Sequence, residues 1–293
     1  MSKATDRLRD LMAAPGCTSV APIFDPLSAR IAEMVGWQVC KLSGSVGKFA
    51  NLAVPDGVPI TNSSDLVDVC RRITRIADVS LVVDADDGGS PLILRRLIRE
   101  LEAAGVAAVE VEDNLVPEHF TSDRHANMLS KDVYVSKLEA AMAARREGTL
   151  QIFGRTAVLS TYPIEEALER IAAYASTGID ALMLPGQGIR GLTPNPRTDI
   201  TMVQDTAKLP LCVSGLPPEL IDDSAWMSRS RIQLRYNGQS PYRMAVKAIH
   251  DALTLLKTGY AGDTRDRWAS DAILAELVHT KELQDWDKRY SSS

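Results

Sequence analysis

Leu81-Val82-Val83-Asp84-Ala85-Asp86-Asp87-Gly88-Gly89-Ser90-Pro91 is the stretch that decides how this chain folds. An apolar run enters an acid-rich turn with two glycines, and Ser90-Pro91 then reads as the N-cap and first position of a helix. Leu94, Leu97, Ile98 and Leu101 follow at helical spacing, and Gly105 offers a left-handed exit. A second apolar run, 107–111, comes next and ends on Glu112-Asp113. Strand, helix and strand in this order are the sign of a βα repeat around a parallel sheet.

Outward from this unit the same alternation recurs. Apolar runs at 19–23, 39–42, 81–84, 107–111, 151–153, 181–184, 211–213 and 232–236 make eight expected strands. Eight parallel strands close a barrel, so the chain is expected to be an α/β protein of the (β/α)8 TIM-barrel class. A doubly wound open sheet is the alternative. Asp25-Pro26, Tyr162-Pro163 and Pro241 open further helices, with Gly36, Gly178 and Gly259 past their ends. Leu27, Ile31, Met34 and Val35 lie on one face of the first of these. The stretch 185–197 is rich in Gly, Pro and Asn and reads as a long loop. The expected barrel domain is 1–260. Residues 261–293 form a charged arm with two short amphipathic pieces near 269–278 and 283–290. Ile273, Leu274 and Leu277 give that arm an apolar side that suits packing on another subunit.

Composition narrows the function. The 293 residues are 45% hydrophobic and 24% charged, an ordinary globular balance that can bury a sizeable core. A net charge of -5 and 5% aromatic residues argue against nucleic acid as a partner, since neither a basic patch nor a stacking surface is evident. Cys17, Cys40, Cys70 and Cys212 form no CxxC pair and have no His at zinc spacing, so they read as reduced thiols of a cytoplasmic protein. No apolar run spans a membrane and no signal segment is recognisable, so no membrane association is expected.

In a barrel of this class the chemistry lies at the C-terminal strand ends. Those ends carry Ser43-Gly44-Ser45, Asp84-Ala85-Asp86, Glu112-Asp113, Arg155 and Asn237-Gly238-Gln239. Asp84, Asp86 and Glu112 are the metal candidates. Carboxylates crowded at one mouth must share protons or hold a cation, and hard oxygen ligands with room for water suit Mg²⁺, with Mn²⁺ as an alternative. A solvated acidic turn is the plainer reading of Asp84–Asp87 taken alone. Ser43, Gly44 and Ser45 are expected to bind an anion through loop amides, unless they are a simple turn. Arg155 suits bidentate binding of a carboxylate, or else a structural ion pair with one of the acids. Asn237 and Gln239 are further substrate-binding candidates. Cys40 reads as core, and His119, His125 and His250 as a pair of loop histidines and a helix residue.

The segments Phe24-Asp25-Pro26-Leu27-Ser28-Ala29-Arg30, Ser43-Gly44-Ser45, Pro55-Asp56-Gly57, Asp84-Ala85-Asp86, Glu112-Asp113 and Gly154-Arg155-Thr156, in this order, resemble the isocitrate lyase / phosphoenolpyruvate mutase superfamily. The resemblance runs from about 23 to 256 and looks closest to the bacterial oxaloacetate decarboxylase branch. It implies a homotetrameric Mg²⁺ enzyme with an exchanged C-terminal helix, acting on a small-molecule α-keto diacid. Asp84 would be the direct metal ligand, with Asp86 and Glu112 on metal-bound waters. Ser45 and the amides around Gly44 would take the C1 carboxylate and Arg155 the far one. Asp56 would lie on a gating loop and, with Arg155 and Gln239, make up the catalytic set.

Departures from the family pattern bear on the reaction. Lyases of the superfamily carry a Cys in the loop after Glu-Asp, and the 114–127 loop here has none. Mutases and phosphonopyruvate hydrolases carry Lys after Glu-Asp, where this chain has Asn114. Gln239 stands where the decarboxylase branch often has His, and a Tyr expected after the seventh strand is missing from Ser214-Gly215-Leu216-Pro217. Decarboxylation of oxaloacetate to pyruvate and CO2 through an enolate fits these residues, because CO2 leaves without an acid. A C–C lyase on a 2-methylisocitrate-like acid, with its acid drawn from His119 or His125, is the alternative. A barrel that binds a small acid without turnover is a third.

Overall fold

The computed structural model describes residues 3–54, 56, 62–116, 127–186, 193–259 and 264–291. They contain eight strands: β1 Thr18–Ile23, β2 Val39–Leu42, β3 Ser80–Asp84, β4 Ala108–Glu112, β5 Gln151–Arg155, β6 Ala181–Leu184, β7 Leu211–Ser214 and β8 Ile232–Tyr236. Each pairs in parallel with the next, and β8 pairs with β1, so the sheet closes into a barrel. The open-sheet alternative is thereby excluded.

Three strands extend past their expected ends, β7 by one residue to Ser214, and the other two extensions matter for the site. β4 runs to Glu112 and β5 to Arg155, and these two residues are register partners. Glu112 and Arg155 therefore stand on hydrogen-bonded strand, not on loop. Alternation along a strand sends every second residue inward. Along β4, Val109 and Val111 join the core between strands and helices, while Ala108 joins the core inside the barrel. The inner core also holds Val39, Val82, Phe153, Met183, Leu234 and Tyr236.

The helices start where their caps dictate. Asp25 accepts from the Ser28 amide, Ser28 answers toward the Asp25 backbone, and Pro26 begins the helix Pro26–Met34. Ser90 caps Pro91–Ala103 in the same manner, accepting from the Ile93 amide. The face of Pro26–Met34 that packs inward is the small one, Ala29 and Ala32. Leu27, Ile31 and Val35 are exposed. Small residues let this helix lie close to the strands, and the larger apolar stripe is turned outward.

The chain divides into two compact units, Met1–Gln239 and Ser240–Ser293. This division comes earlier than the expected boundary at 260/261, because the helix Ser240–Lys257 groups with the C-terminal part. That unit also holds Asp271–Leu277 and Thr280–Tyr290, the two expected amphipathic pieces. None of these three helices has a buried side chain. Among the described residues, no helix is long and apolar enough to cross a membrane.

Tyr134 ties the site strands together from outside. It is fully buried, meets Tyr174 edge-on at 4.6 Å, and donates from its hydroxyl toward the Val111 carbonyl at 2.6 Å and the Arg155 carbonyl at 3.1 Å. One hydroxyl thus bridges the ends of β4 and β5. Tyr134→Phe should cost about 1–2 kcal/mol, the worth of a buried hydrogen bond. The expected readout is a lower urea midpoint with an unchanged slope; an unchanged midpoint would show that the bridge contributes nothing.

Candidate active site

The inward positions near the C-terminal strand ends bring the expected acids together. Arg155 on β5 donates from Nη1 to Asp84 Oδ2 on β3. Its Nε lies 3.1 Å from Glu112 Oε2, close enough for an ion pair although Nε makes no hydrogen bond there. Arg155 therefore has the ion-pair role that its sequence position left open. Asp86 follows in a left-handed conformation, φ 50°, which Asp tolerates better than most residues, and its amide donates to Asp84 Oδ1 at 3.2 Å.

Ser43-Gly44-Ser45 is neither a free loop nor a simple turn. It is the start of the helix Gly44–Leu52, with Ser43 at the N-cap. The Gly44 amide donates to Asp84, so one of the orphan N–H groups of that helix already meets a carboxylate. A Cβ at position 44 would lie 2.8 Å from Asp86 Oδ1 and 3.3 Å from Asp84 Cγ, so only glycine lets the helix start come this close. Gln239 Nε2 donates to Ser45 Oγ at 2.8 Å, and Ser43 Oγ is 3.2 Å from Ser45 Oγ. Gln239 is thus joined to the serine pair across the β8 and β2 ends. Asn237, expected to touch substrate, instead spends its amide on the β1 seam. Its Nδ2 donates to Val20 O at 2.8 Å and Ser19 Oγ at 3.1 Å, and its Oδ1 accepts from Arg235. Closing the barrel engages its Nδ2 and one lone pair of its Oδ1. Asp56 is described and exposed, 3.3 Å from Lys48 Nζ, but 55 and 57–61 lie outside the described residues. So do His119 and His125, within 117–126.

Three lysines escaped the sequence reading. Lys41 on β2 points inside the barrel, 2.5 Å from Glu110 Oε2 and 3.9 Å from Asp84 Oδ2, with its ammonium 4.6 Å from the Tyr236 ring centre. Lys48 lies 2.6 Å from Asp86 Oδ2. Lys137 reaches from the helix Lys131–Ala144 to Asp87, at 2.7 Å from its carbonyl and 2.6 Å from its carboxylate, and pins the acid turn. The signal was there for one of them. Two-residue alternation puts Lys41 and Glu110 on interior positions of otherwise apolar strands, and opposite charges at such positions should pair. The other two pairings cross between elements and left no local pattern.

Electrostatics follow from this packing. Burial alone would raise the Asp84 pKa, but Arg155 and Lys41 outweigh it and hold it at about 2. Asp86 is pushed up to about 6 by burial and by Asp84, against the pull of Lys48. Glu112 is pushed up to about 8, mainly by burial, with Asp84 and Asp86 adding to it despite Arg155. Four carboxylates, Asp84, Asp86, Glu110 and Glu112, thus face three cations, Lys41, Lys48 and Arg155. A cleft of about 230 Å³ opens beside them, lined by Ser43, Gly44, Lys48, Asp84 and Asp86 among others.

Among the described residues, no three His, Cys, Asp or Glu side chains close on one ion position. An all-protein cage is therefore absent there. One ionised carboxylate, Asp84, with two more close by, still fits Mg²⁺, which keeps several waters and takes one or two carboxylates. The backbone at Gly44 is held tight against both aspartates, its amide on Asp84.

Residues 8–257 match the model of the phosphoenolpyruvate phosphomutase family. The chain belongs to this family. An oxaloacetate decarboxylase of Paraburkholderia xenovorans (strain LB400) is 35% identical over 285 residues, 97% of this chain and 92% of that protein. The crystal structure of a phosphoenolpyruvate phosphomutase from Streptomyces platensis subsp. rosaceus superposes with a TM-score of 0.83 at 26% identity, covering 99% of this chain and 100% of that one. A phosphonopyruvate hydrolase, solved in complex with oxalate and Mg²⁺, shares the fold with a TM-score of 0.82 at 23% identity, each chain covered in full. The family match spans every strand of the barrel and all of the helix Ser240–Lys257.

Asp113, the second acid of the family's Glu-Asp pair, serves the scaffold. It is fully buried and accepts from Thr156 Oγ1 at 2.5 Å, while its carbonyl accepts from the Leu129 amide at 2.7 Å. Burial pushes its pKa from 3.8 up to about 6. A folded pKa above the unfolded one means that its contribution to stability is full below about pH 4 and is lost as pH rises through about 6, a loss of order 3 kcal/mol. Thermal melts of the wild type and Asp113→Asn should therefore draw together at acid pH and shift in favour of Asn on going to pH 7. A gap that does not change with pH would refute the assignment.

Proposed function

We propose that this chain decarboxylates oxaloacetate, or a close α-keto diacid, to pyruvate and CO2 with Mg²⁺ as cofactor, Mn²⁺ serving in its place. The observation that carries the reading is the cluster of Asp84 and Glu112 on the ends of β3 and β4 with Asp86 in the turn between them, in a family that includes a 35%-identical oxaloacetate decarboxylase. Asp84 would bind the cation directly, and Asp86 and Glu112 would hold its waters. The bound cation would supply Lewis-acid polarisation of the α-keto group. Ser43, Ser45 and the Gly44 helix start would seat the C1 carboxylate, since helix N-termini favour anions. Gln239 would orient Ser45, through their 2.8 Å bond. Arg155 would take the far carboxylate while staying anchored by Asp84 and Glu112. Asp56, beside Lys48, would complete the catalytic set.

A C–C lyase must protonate a carbanion, and the chain's thiols are poorly suited to that. Cys40, Cys70 and Cys212 are buried, with Cys40 and Cys70 pushed up to about 12, and Cys17 is partly buried and pushed up to about 11, all mainly by burial. This favours loss of neutral CO2, which needs no acid on the leaving group. The lyase reading would need an acid from the 114–127 segment.

Product analysis with Mg²⁺, against a buffer-plus-metal blank, tests the choice. Oxaloacetate should be lost faster than in the blank, with pyruvate formed in equal amount. Asp84→Ala should abolish the metal-dependent rate in a folded protein, and Gln239→Ala should slow it without abolishing it. Arg155→Ala should weaken substrate binding by about 1.5–3 kcal/mol, the worth of a hydrogen bond to a charged group. Cleavage of 2-methylisocitrate with oxaloacetate loss no faster than the blank would decide for the lyase. Binding without turnover of either acid would decide for a binding barrel.

The assembly is proposed to be a homotetramer that exchanges the helical arm. The support is apolar surface without cover: Leu27, Ile31 and Val35 on the barrel, and Trp268, Ile273, Leu274 and Trp286 in the C-terminal unit. The four free thiols suit a cytoplasmic enzyme. Light scattering should give a mass near four times the chain's 31.9 kDa; a monomer at micromolar concentration would overturn this.

A further inference from the structure

Lys48 sits where an ammonium is disfavoured. Its side chain is 6% exposed, and it projects from the middle of the helix Gly44–Leu52. Helical side chains lean toward the N-terminus, and position 48 shares a face with Gly44 four residues earlier. The ammonium is thereby delivered to the place where Gly44 abuts Asp86. Two carboxylates from separate parts of the chain meet it there, Asp86 Oδ2 at 2.6 Å and Asp56 Oδ1 at 3.3 Å. An apolar residue would fill a buried helix position at less cost, as Val46 does on another face of the same helix. Lys48 also lines the cleft beside Asp84 and Asp86.

We infer that Lys48 is a positioning residue, a fixed counter-cation that gathers Asp86 and Asp56 on one ammonium and turns Asp86 toward the metal position. The inference rests on the metal reading of Asp84 and Asp86 proposed above. A fixed positive charge beside a cation site lowers the affinity for the cation. Lys48 therefore trades some metal affinity for a set geometry of the acids.

The test is Mn²⁺ titration without substrate, followed by the free ion's EPR signal, alongside oxaloacetate kinetics. Lys48→Met should bind Mn²⁺ about tenfold more tightly, the effect of one unit charge even at the screening of bulk water. Its kcat should fall by about tenfold or more while KM changes by less than about threefold, the pattern of lost orientation and not of lost substrate binding. Lys48→Arg should restore both in part. Lys48→Gln, which keeps a donor without the charge, replaces Met if that variant does not fold. Mn²⁺ affinity that stays the same or weakens, or an unchanged kcat, overturns the proposal. A wild type that binds Mn²⁺ but leaves oxaloacetate untouched refutes the decarboxylase reading alone, and the affinity shift then decides for Lys48.

Discussion

Like charges brought into the dry upper interior of a closed barrel are the constraint around which the rest of this molecule is arranged. Asp84, Glu110 and Glu112 are all buried on strands β3 and β4. At an effective dielectric near 20, two unit charges about 4 Å apart repel by roughly 4 kcal/mol. Each acid therefore has a cation brought to it from another element: Arg155 from β5 serves Asp84 and Glu112, and Lys41 from β2 serves Glu110, while Lys48, from the helix that follows β2, serves Asp86 just past the end of β3. A buried ion pair rarely adds stability over an apolar pair of equal volume. Repeated pairing at one end of one barrel is better understood as the cost of maintaining a charged site.

Geometry at the mouth depends on backbone as much as on charge. Asp86 is held with φ 50°, and the two glycines that follow it turn the chain back with φ 72° each. Lys137 clasps Asp87 from a neighbouring helix, and Gly44 admits the helix start to within contact of both aspartates. Strained or crowded backbone of this kind persists where its surroundings over-determine it. The acid turn is fixed on both sides, by Lys48 and by Lys137.

The same arrangement explains how few proton-transfer groups the proposed reaction would require. Arg155 and Gln239 do not titrate near neutral pH, and both are held by neighbours, Arg155 by Asp84 and Glu112, Gln239 by Ser45. Such groups orient and bind. They suit a reaction whose leaving group is neutral and whose charge is gathered at a cation. The hydrogen-bonded pair of Gln239 and Ser45 also joins the last strand end to the second, so a substitution at either position would be felt at the other.

By itself the sequence determined the periodic part of this protein. Eight apolar runs, their capping residues and their glycine exits are local signals, and they specified the barrel because strand and helix periods are read within a few residues. The acids at 84, 86 and 112 were legible for the same reason, each standing at the end of an apolar run. The tertiary structure alone decided the partners. Asn237 was absorbed into the β1–β8 seam, Arg155 was caught between two acids, and Lys41, Lys48 and Lys137 were each assigned a carboxylate. It also turned Leu27, Ile31 and Val35 outward in favour of Ala29 and Ala32. Pairings of this kind join residues 69 positions apart, as Lys41 and Glu110 are, or 217 apart, as Asn237 and Val20 are, and no local period encodes such distances. They are fixed only when closure of the barrel brings every strand end to one rim.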